Sequence, residues 1–561
     1  MLKNPDEKLN KNIITKRLLF LGVISTIFII ALGIRLFYLQ IVKHDLYTTE
    51  VNKQRSLTIP LNSGRGYFFD RNFIPLTDRT EDVVIILFPQ LFIQNEENLS
   101  LLESITNIPS SNLEKRIKST QAPLEFDVEV DINWKAEEII RTRGLFIVNR
   151  RSRYDDNPLL AHIIGYINST DKKGMSGLEK SFNSILSNSD EKSLAAVVDG
   201  RKRFLPGEGY YFNTSTKEST HVQLTIDFHF QKLVEEILDK YNSNGAVVIS
   251  DIKTGEVLTL ASRPNFAPNN INYHLNSSGD ELFNKAIQMT FPPGSIFKLI
   301  VTAEGLEKGL IDIDESFFCS GVEIIGNTQI RCSSHNRGGH GDITFRDSFA
   351  ESCNSTFIQI GQKIGAKNII KMAERFGLGK KIDIGVLEEE SGNLPQGDSL
   401  LGPSIGNISI GQGEIEVTPL QINQLTQIIA NNGIKKDLSL IKAIVDDNYG
   451  TIETFKEIKE EVIISEEIAY ELQTLMNKVM MDGTGKLVGG LAPLTAGKTG
   501  SAQSTDRGVA TLHGWFTGYY PYDEPKYAIT IFIQNGGFGS QAAVPIFRDI
   551  IEEIINKGEP Y

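Results

Sequence analysis

Hydrophobic and polar positions divide the chain into three regimes. The first is an apolar run, Leu18 to Ile34, reading LLFLGVISTIFIIALGI without a charge. At about 1.5 Å per residue it approaches the thickness of a bilayer's hydrocarbon core. Leu36, Phe37, Leu39, Ile41 and Val42 extend it if Arg35 snorkels toward the headgroups. Lys3, Lys8, Lys11, Lys16 and Arg17 precede it, against Asp6 and Glu7. The pattern predicts a cytoplasmic tail over 1–17 and a single transmembrane anchor over 18–42, with the bulk of the chain outside. A cleaved signal peptide is the competing reading, but Ala31-Leu32-Gly33 is a poor cleavage site and the apolar run continues past it.

The second regime, 43–220, alternates short apolar runs with charge clusters and reads as one extracytoplasmic region of mixed structure. Arg65-Gly66-Tyr67-Phe68-Phe69-Asp70-Arg71-Asn72 combines a turn glycine with charges that suit a structural ion-pair network. Glu114, Lys115, Arg116 and Lys118 suit a solvated helix face, and Gly174 to Lys180 a loop leading into a helix. Arg201-Lys202-Arg203 is a short solvated basic run.

The third regime, 221–561, opens with strand-like alternation at Leu224 to Asp227 and a helical pattern from Phe230 to Tyr241. GAVVIS (Gly245 to Ser250) and VLTLAS (Val257 to Ser262) flank a glycine-bearing turn and predict a β-hairpin. HGWFTGYY (His513 to Tyr520) and YAITIFIQ (Tyr527 to Gln534) predict two more strands. Phe547, Ile550, Ile551, Ile554 and Ile555 then recur at helical spacing. Strands at both ends with helices between predict an α+β domain, an antiparallel sheet covered by helices.

Charge and cysteine content narrow the functional classes. A formal charge of -13 leaves no basic surplus to neutralise phosphates, so nucleic acid is not an expected partner. Three cysteines are too few for a disulfide scaffold.

Candidate chemistry lies in the third regime. Ser295-Ile296-Phe297-Lys298 follows Pro292-Pro293-Gly294 and begins an apolar helical pattern. Ser295 then sits at a helix N-terminus, where free N–H groups favour developing negative charge. Lys298, three residues on, shares its face. A serine hydroxyl needs an adjacent base, and Lys298 qualifies only if burial or neighbouring cations keep it neutral. Ser169, Ser189, Ser250 and Ser439 open the same tetrapeptide without that context. Ser352-Cys353-Asn354 follows an amphipathic stretch; Ser352 could pass a proton to a leaving amine and Asn354 bind a substrate amide. Ser391-Gly392-Asn393 is its decoy. Lys498-Thr499-Gly500, followed by Ser501, precedes a predicted strand. Alternation places Lys498 and Gly500 on one face, Gly500 admitting a substrate backbone and Lys498 facing a carboxylate. Lys253-Thr254-Gly255 repeats the triplet inside the hairpin turn. His513 reads as a packing residue of its strand.

These motifs, in this order, resemble the class B penicillin-binding proteins, and most of all the elongation-type penicillin-binding protein 2 group. The likeness includes Arg65 to Asn72, Gly177-Leu178-Glu179-Lys180, Gly339-His340-Gly341, Gly411-Gln412-Gly413, Thr418-Pro419-Leu420-Gln421 and Asn535-Gly536-Gly537. It implies a pedestal domain over 43–220 and a serine β-lactamase/transpeptidase-like fold over 221–561. It implies a D,D-transpeptidase of the bacterial cytoplasmic membrane that cross-links peptidoglycan stem peptides during elongation and shape maintenance. Ser295 would form the acyl-enzyme, with Lys298 as base. Ser352 and Asn354 would assist proton transfer and positioning. Lys498 and Thr499 would hold the carboxylate, and the N–H groups of Ser295 and Ser501 would form the oxyanion hole. β-Lactams would acylate Ser295, and a glycan polymerase of the SEDS family would be a partner together with the elongation machinery. The runner-up enzymes are a D,D-carboxypeptidase and a β-lactamase; the non-catalytic reading is a membrane-anchored scaffold or β-lactam sensor.

Cys319, Cys332, His340 and Cys353 together offer a tetrahedral zinc site, with His335 as an alternative ligand. Some relatives of the penicillin-binding protein 2 group carry a metal in this region. A Cys319–Cys332 disulfide with Cys353 free, or three buried thiols, are the other readings. The metal would be structural, and no organic cofactor is expected.

Overall fold

A computed structural model describes residues 5–44, 47–48, 51, 55–128, 136–156, 158–168, 170–187, 189, 192–199, 205, 210–214, 218–455, 459–506 and 508–557. The basic run Arg201 to Arg203, Ser169 and Lys3 lie outside the described residues. Helix α1 (Pro5–Phe37) continues into a π-helical turn, Tyr38–Val42. The stretch Ile13–Val42 is long and apolar enough to cross a membrane, and none of it is buried within the protein.

The chain forms two compact units, one of residues 1–61, 82–150 and 192–214, the other of 62–81, 151–191 and 215–561. The sequence suggests a single division near residue 220; the chain in fact enters the second unit twice before that point. In the first unit, strands Ser56–Pro60, Lys192–Val197 and Tyr210–Thr214 form an antiparallel sheet. Helix Ser110–Ser119 buries Leu113 and Ile117 and leaves Lys115, Arg116 and Lys118 exposed, as its charge pattern predicts.

The two returning segments share an apolar cluster with the rest of the second unit, Phe68, Leu76, Leu160 and Leu178 packing with Val222, Val248 and Leu260, and are tied to each other by charge. Arg65 and Arg153 both pair with Glu179, through contacts of 2.7 Å each, and Arg153 also meets Asp78 at 2.6 Å. Glu179 is fully buried and Arg65 and Arg153 nearly so. The charges of the Arg65 segment therefore form the expected structural network, built across more than a hundred residues of sequence.

Helix α2 (Phe228–Lys240) starts at Asp227, whose carboxylate accepts from the N–H groups of His229 and Phe230. Strands β1 (Gly245–Asp251) and β2 (Val257–Arg263) form the predicted hairpin. In its turn Asp251 caps the N–H groups of Lys253 and Thr254, which accounts for the decoy Lys-Thr-Gly. Helix α3 (Lys298–Glu307) follows. Next come β3 (Ser316–Cys319), β4 (Val322–Ile325), β5 (Thr328–Arg331) and β6 (Gly341–Thr344), paired as β3–β6 and β4–β5. Helices α4 (Phe345–Ala350), α5 (Asn354–Ile364), α6 (Pro419–Ala430) and α7 (Glu466–Met481) precede β7 (Ala496–Asp506), β8 (Val509–Tyr520) and β9 (Tyr527–Ile533). Helix α8 (Val544–Lys557) closes the described chain.

The main sheet has the order β2-β1-β9-β8-β7, every neighbour antiparallel. Successive residues of β8 face opposite sides. Thr517 meets Thr426 of α6, whereas the Phe516 ring packs at a tilt against Phe547 of α8. The sheet is thus covered on both faces, the α+β arrangement expected. The predicted decoy serines are absorbed by the fold. Ser250 donates to Asn423 Oδ1, Ser439 to the Ile441 carbonyl and Ser189 to the Leu186 carbonyl.

Candidate active site

The turn that carries Ser295 is clamped from three directions. Phe291 and Val417 exchange backbone hydrogen bonds of 2.9 Å. Trp515 Nε1 donates to the Pro292 carbonyl at 3.0 Å, and Gly294 N–H to the Gly411 carbonyl at 2.9 Å. Gly294 has φ +55, a conformation costly for any other residue. The turn Gly294–Phe297 is 3-10 helical, and α3 begins directly after it at Lys298. Ser295 is half-buried there.

Gly500 lies against this turn. A Cβ at Gly500 would approach the Pro293 carbonyl at 2.9 Å and Ile296 at 3.0 Å. The sequence reading reserves that space for substrate; the structure fills it with the nucleophile turn itself. Gly411 plays the same part from the other side, where a Cβ would meet the Gly294 carbonyl at 2.2 Å. The role of Gly411-Gln412-Gly413 was missed in the residue-level reading, although two glycines around one polar residue signal a tight approach.

Lys298 is fully buried. Its Nζ is 2.8 Å from the Ser352 carbonyl, 2.8 Å from Asn354 Oδ1 and 3.2 Å from Ser352 Oγ. The first two partners accept only, so they claim two N–H bonds in either protonation state. The third position is an N–H when Lys298 is charged and a lone pair when it is neutral. Burial pushes the Lys298 pKa down to about 8, partly opposed by the Cys353 and Cys332 thiols. A neutral fraction therefore exists near physiological pH.

Lys498 is also fully buried, and its Nζ donates to Ser352 Oγ at 3.0 Å and to the Thr499 carbonyl at 3.2 Å. Burial, reinforced by the neighbouring Lys298 charge, holds its pKa well below the ordinary lysine range. The Ser352 hydroxyl thus bridges two buried amines. Ser352 has φ 57, a left-handed conformation that is strained for serine. Lys498 packs inward against this hydroxyl. Asn354 is likewise engaged at both ends, since its Nδ2 donates to the Arg331 carbonyl at 3.0 Å.

Thr499 and Ser501 alternate onto the opposite side of β7 from Lys498. Thr499 Oγ1 lies 2.6 Å from Thr484 Oγ1, and Ser501 Oγ accepts from Gly539 N–H at 3.2 Å. Thr484 was not anticipated, and its Gly-Thr-Gly setting is too common to announce it. His513 packs between Phe291 and Phe532 and accepts from Asn535 N–H, as expected of a sheet residue.

The three cysteines converge beside this cluster. Cys319 ends β3, Cys332 follows β5, His340 precedes β6 and Cys353 caps α5. Their donor atoms lie within 4.8 Å of one another, and all three thiols are free. Cys332 Sγ is 3.8 Å from Cys353 Sγ and 3.7 Å from His340 Nδ1. Zinc–sulfur bonds of about 2.3 Å in a tetrahedron put donors about 3.7 Å apart, so these spacings fit. His340 Nε2 is buried without a hydrogen-bond partner. Hydrogen bonds from Cys353 and Ser334 hold the Cys332 thiol well below its usual range, and Cys332 in turn pushes Cys353 up. His335 lies in a short 3-10 turn outside the cluster.

A serine at a helix entry, two buried lysines and a bridging hydroxyl define a serine acyl-transfer enzyme that uses amines where others use imidazole. The chain belongs to the penicillin-binding protein transpeptidase domain family, which matches residues 245–552. It is 26% identical to peptidoglycan D,D-transpeptidase MrdA of Haemophilus influenzae, over 99% of this chain and 94% of that protein. It is 26% identical to stage V sporulation protein D of Bacillus subtilis, over 96% and 85% respectively. Among solved structures, a chain from a study of polymerization and crosslinking by a peptidoglycan synthase complex matches with TM-score 0.71 and 25% identity, covering 98% of this chain and all of that one. Penicillin-binding protein 3 of Mycobacterium tuberculosis, complexed with aztreonam, shares the fold at TM-score 0.63 and 23% identity, covering 89% of this chain and 97% of that one.

Proposed function

We propose that this protein is a peptidoglycan D,D-transpeptidase acting through a Ser295 acyl-enzyme in cell-wall elongation. The observation that carries the assignment is the Ser352 hydroxyl held between Lys298 Nζ and Lys498 Nζ, next to the clamped Ser295 turn. Ser295 Oγ attacks the penultimate D-alanine carbonyl of a donor stem while neutral Lys298 takes its proton. The tetrahedral oxyanion forms at the N–H groups of Ser295 and Ser501. The C–N bond breaks, and the terminal D-alanine leaves with a proton relayed through Ser352. The amine of a neighbouring stem then attacks the ester, passes its proton to the same amine system and releases Ser295 as the hydroxyl. Thr499 and Ser501 line the substrate side of β7, while Gly500 lets the Ser295 turn pack against the strand. Lys498 keeps Ser352 oriented and adds positive potential toward the carboxylate.

Cys319, Cys332, His340 and Cys353 would hold zinc. The ion would act structurally, tying β3, β5 and β6 to the start of α5 and so steadying Ser352 and Asn354. The donor set and spacing support this reading. The helix Ile13–Val42 would anchor the protein in the bacterial cytoplasmic membrane, with the bulk of the chain after it extracytoplasmic. A glycan polymerase of the SEDS family is the proposed partner, supported by the likeness to a chain of a peptidoglycan synthase complex. Penicillin-binding protein 2 of Helicobacter pylori, solved in complex with MreC, shares the fold. β-Lactams would acylate Ser295 as substrate mimics.

The test is labelling of full-length protein with a fluorescent penicillin, together with D-alanine release and cross-linked product from synthetic stem peptides. Wild type should form a long-lived adduct and cross-linked dimers, and Ser295→Ala neither. Full cross-linking by Ser295→Ala would sink the assignment.

A further inference from the structure

The strand pair β4–β5 carries a surface that the reaction above leaves unused. Its register sets Val322 opposite Arg331 and Ile324 opposite Gln329. Alternation puts these four on one face. The other face is occupied. Glu323 accepts from Ser355 Oγ at 2.6 Å and from Gln359 Nε2 at 2.9 Å, both on α5, while Ile325 and Ile330 close against Gly406. On the first face Ile324 is 70% exposed, and Gln329 and Arg331 are exposed too.

Arg331 is unusual in its charge environment. Among the described residues of this unit, every arginine except Arg331 and Arg337 is ion-paired with a carboxylate. A chain with a net charge of -13 offers partners readily, so a bare guanidinium beside the catalytic cluster is conspicuous. Its backbone is also fixed with respect to the chemistry. The Arg331 carbonyl accepts from Asn354 Nδ2, and Asn354 Oδ1 accepts from Lys298 Nζ. Two hydrogen bonds therefore separate the Arg331 backbone from the proposed base, and Glu323 pins the same hairpin to α5.

We propose that this face is a substrate subsite in which Arg331 binds an internal carboxylate of the stem peptide, with Ile324 and Val322 against the neighbouring aliphatic part. Guanidinium geometry suits a carboxylate, and the apolar neighbours reduce competition from water. The inference rests on the transpeptidase reading and specifies which peptides that site prefers.

The experiment uses full-length protein and two synthetic stem pentapeptides, one with a free internal carboxylate and one with that group amidated. The readout is the ratio of kcat/KM for the two. Wild type should favour the acidic peptide by about fivefold, the upper scale of one solvent-exposed ion pair. Arg331→Gln should bring the ratio close to one, chiefly through KM, and Arg331→Lys should keep part of it. High salt should shrink the wild-type ratio as well. A wild-type ratio preserved in Arg331→Gln overturns the subsite alone, as does an equal loss for both peptides. Failure of wild type to release D-alanine from either peptide overturns the transpeptidase reading and the subsite with it.

Discussion

Replacing Gly411 by alanine should damage acylation far more than replacing Gly413, two residues away in the same motif. Both glycines have positive φ, +70 and +82, so alanine costs backbone strain at each, roughly 1 kcal/mol. The surroundings differ. A Cβ at Gly413 has Asn407 Cβ as its nearest neighbour, at 3.5 Å, which is an ordinary contact. A Cβ at Gly411 would lie 2.2 Å from the Gly294 carbonyl oxygen and 2.6 Å from Phe297 Cβ. Relief of that overlap requires the Ser295 turn to retreat by about 1 Å, a displacement able to cost about 10²-fold in rate. Overpacking adds about 1–3 kcal/mol of destabilisation. The assay is the second-order rate of fluorescent-penicillin labelling, with thermal unfolding measured in parallel. Gly411→Ala should label about 10²-fold more slowly than Gly413→Ala and unfold at lower temperature. Equal labelling rates for the two would refute the claim that Gly411 sets the position of the nucleophile turn.

Penicillin acylation should rise with pH through about 8, because burial depresses the Lys298 pKa and only its neutral form accepts the Ser295 proton; a flat profile from pH 6 to about 9.5 would contradict Lys298 as base. The same depression makes the unfolded chain the stronger proton binder between about 8 and the ordinary lysine value, so denaturant stability should gain from Lys298 as pH rises through that window. Glu179→Leu leaves the Arg65 and Arg153 guanidinium groups buried without their shared partner and should destabilise the fold by about 3–5 kcal/mol, read from chemical denaturation. Cys332→Ser should abolish stoichiometric zinc in elemental analysis of purified protein; metal content equal to wild type would remove Cys332 from the ligand set.

Much of the fold could be read along the chain. The β1–β2 hairpin and the strands β8 and β9 show as short, nearly continuous apolar runs because the sheet is buried on both faces, and helix α8 shows as an apolar stripe at helical spacing. Pro292-Pro293-Gly294 marks a helix entry through local backbone preference, which needs no tertiary partner, whereas the N-caps Asp227 and Thr418 show themselves in the structure. The division into units was not legible in the same way. The segments 62–81 and 151–191 are tied to each other through Arg65, Glu179, Arg153 and Asp78 and to the rest of the second unit through Arg71–Glu256 and Lys180–Glu388, and no periodicity announces pairing across such separations.

For the site, sequence alone determined which residues are chemically equipped: a serine before an apolar helix, a lysine one turn on, a second serine and a second lysine. Decoys at Ser250 and Lys253 show that motif letters are not enough. Tertiary structure decided which copies are buried together, since a lysine becomes a base only when its charge is desolvated. It also assigned Gly500 and Gly411 to the walls of the Ser295 turn and turned Lys498 inward onto Ser352 Oγ. Those outcomes depend on which strand lies beside which turn, a matter of long-range packing. The identity of the reacting groups was local information; their protonation and alignment were not.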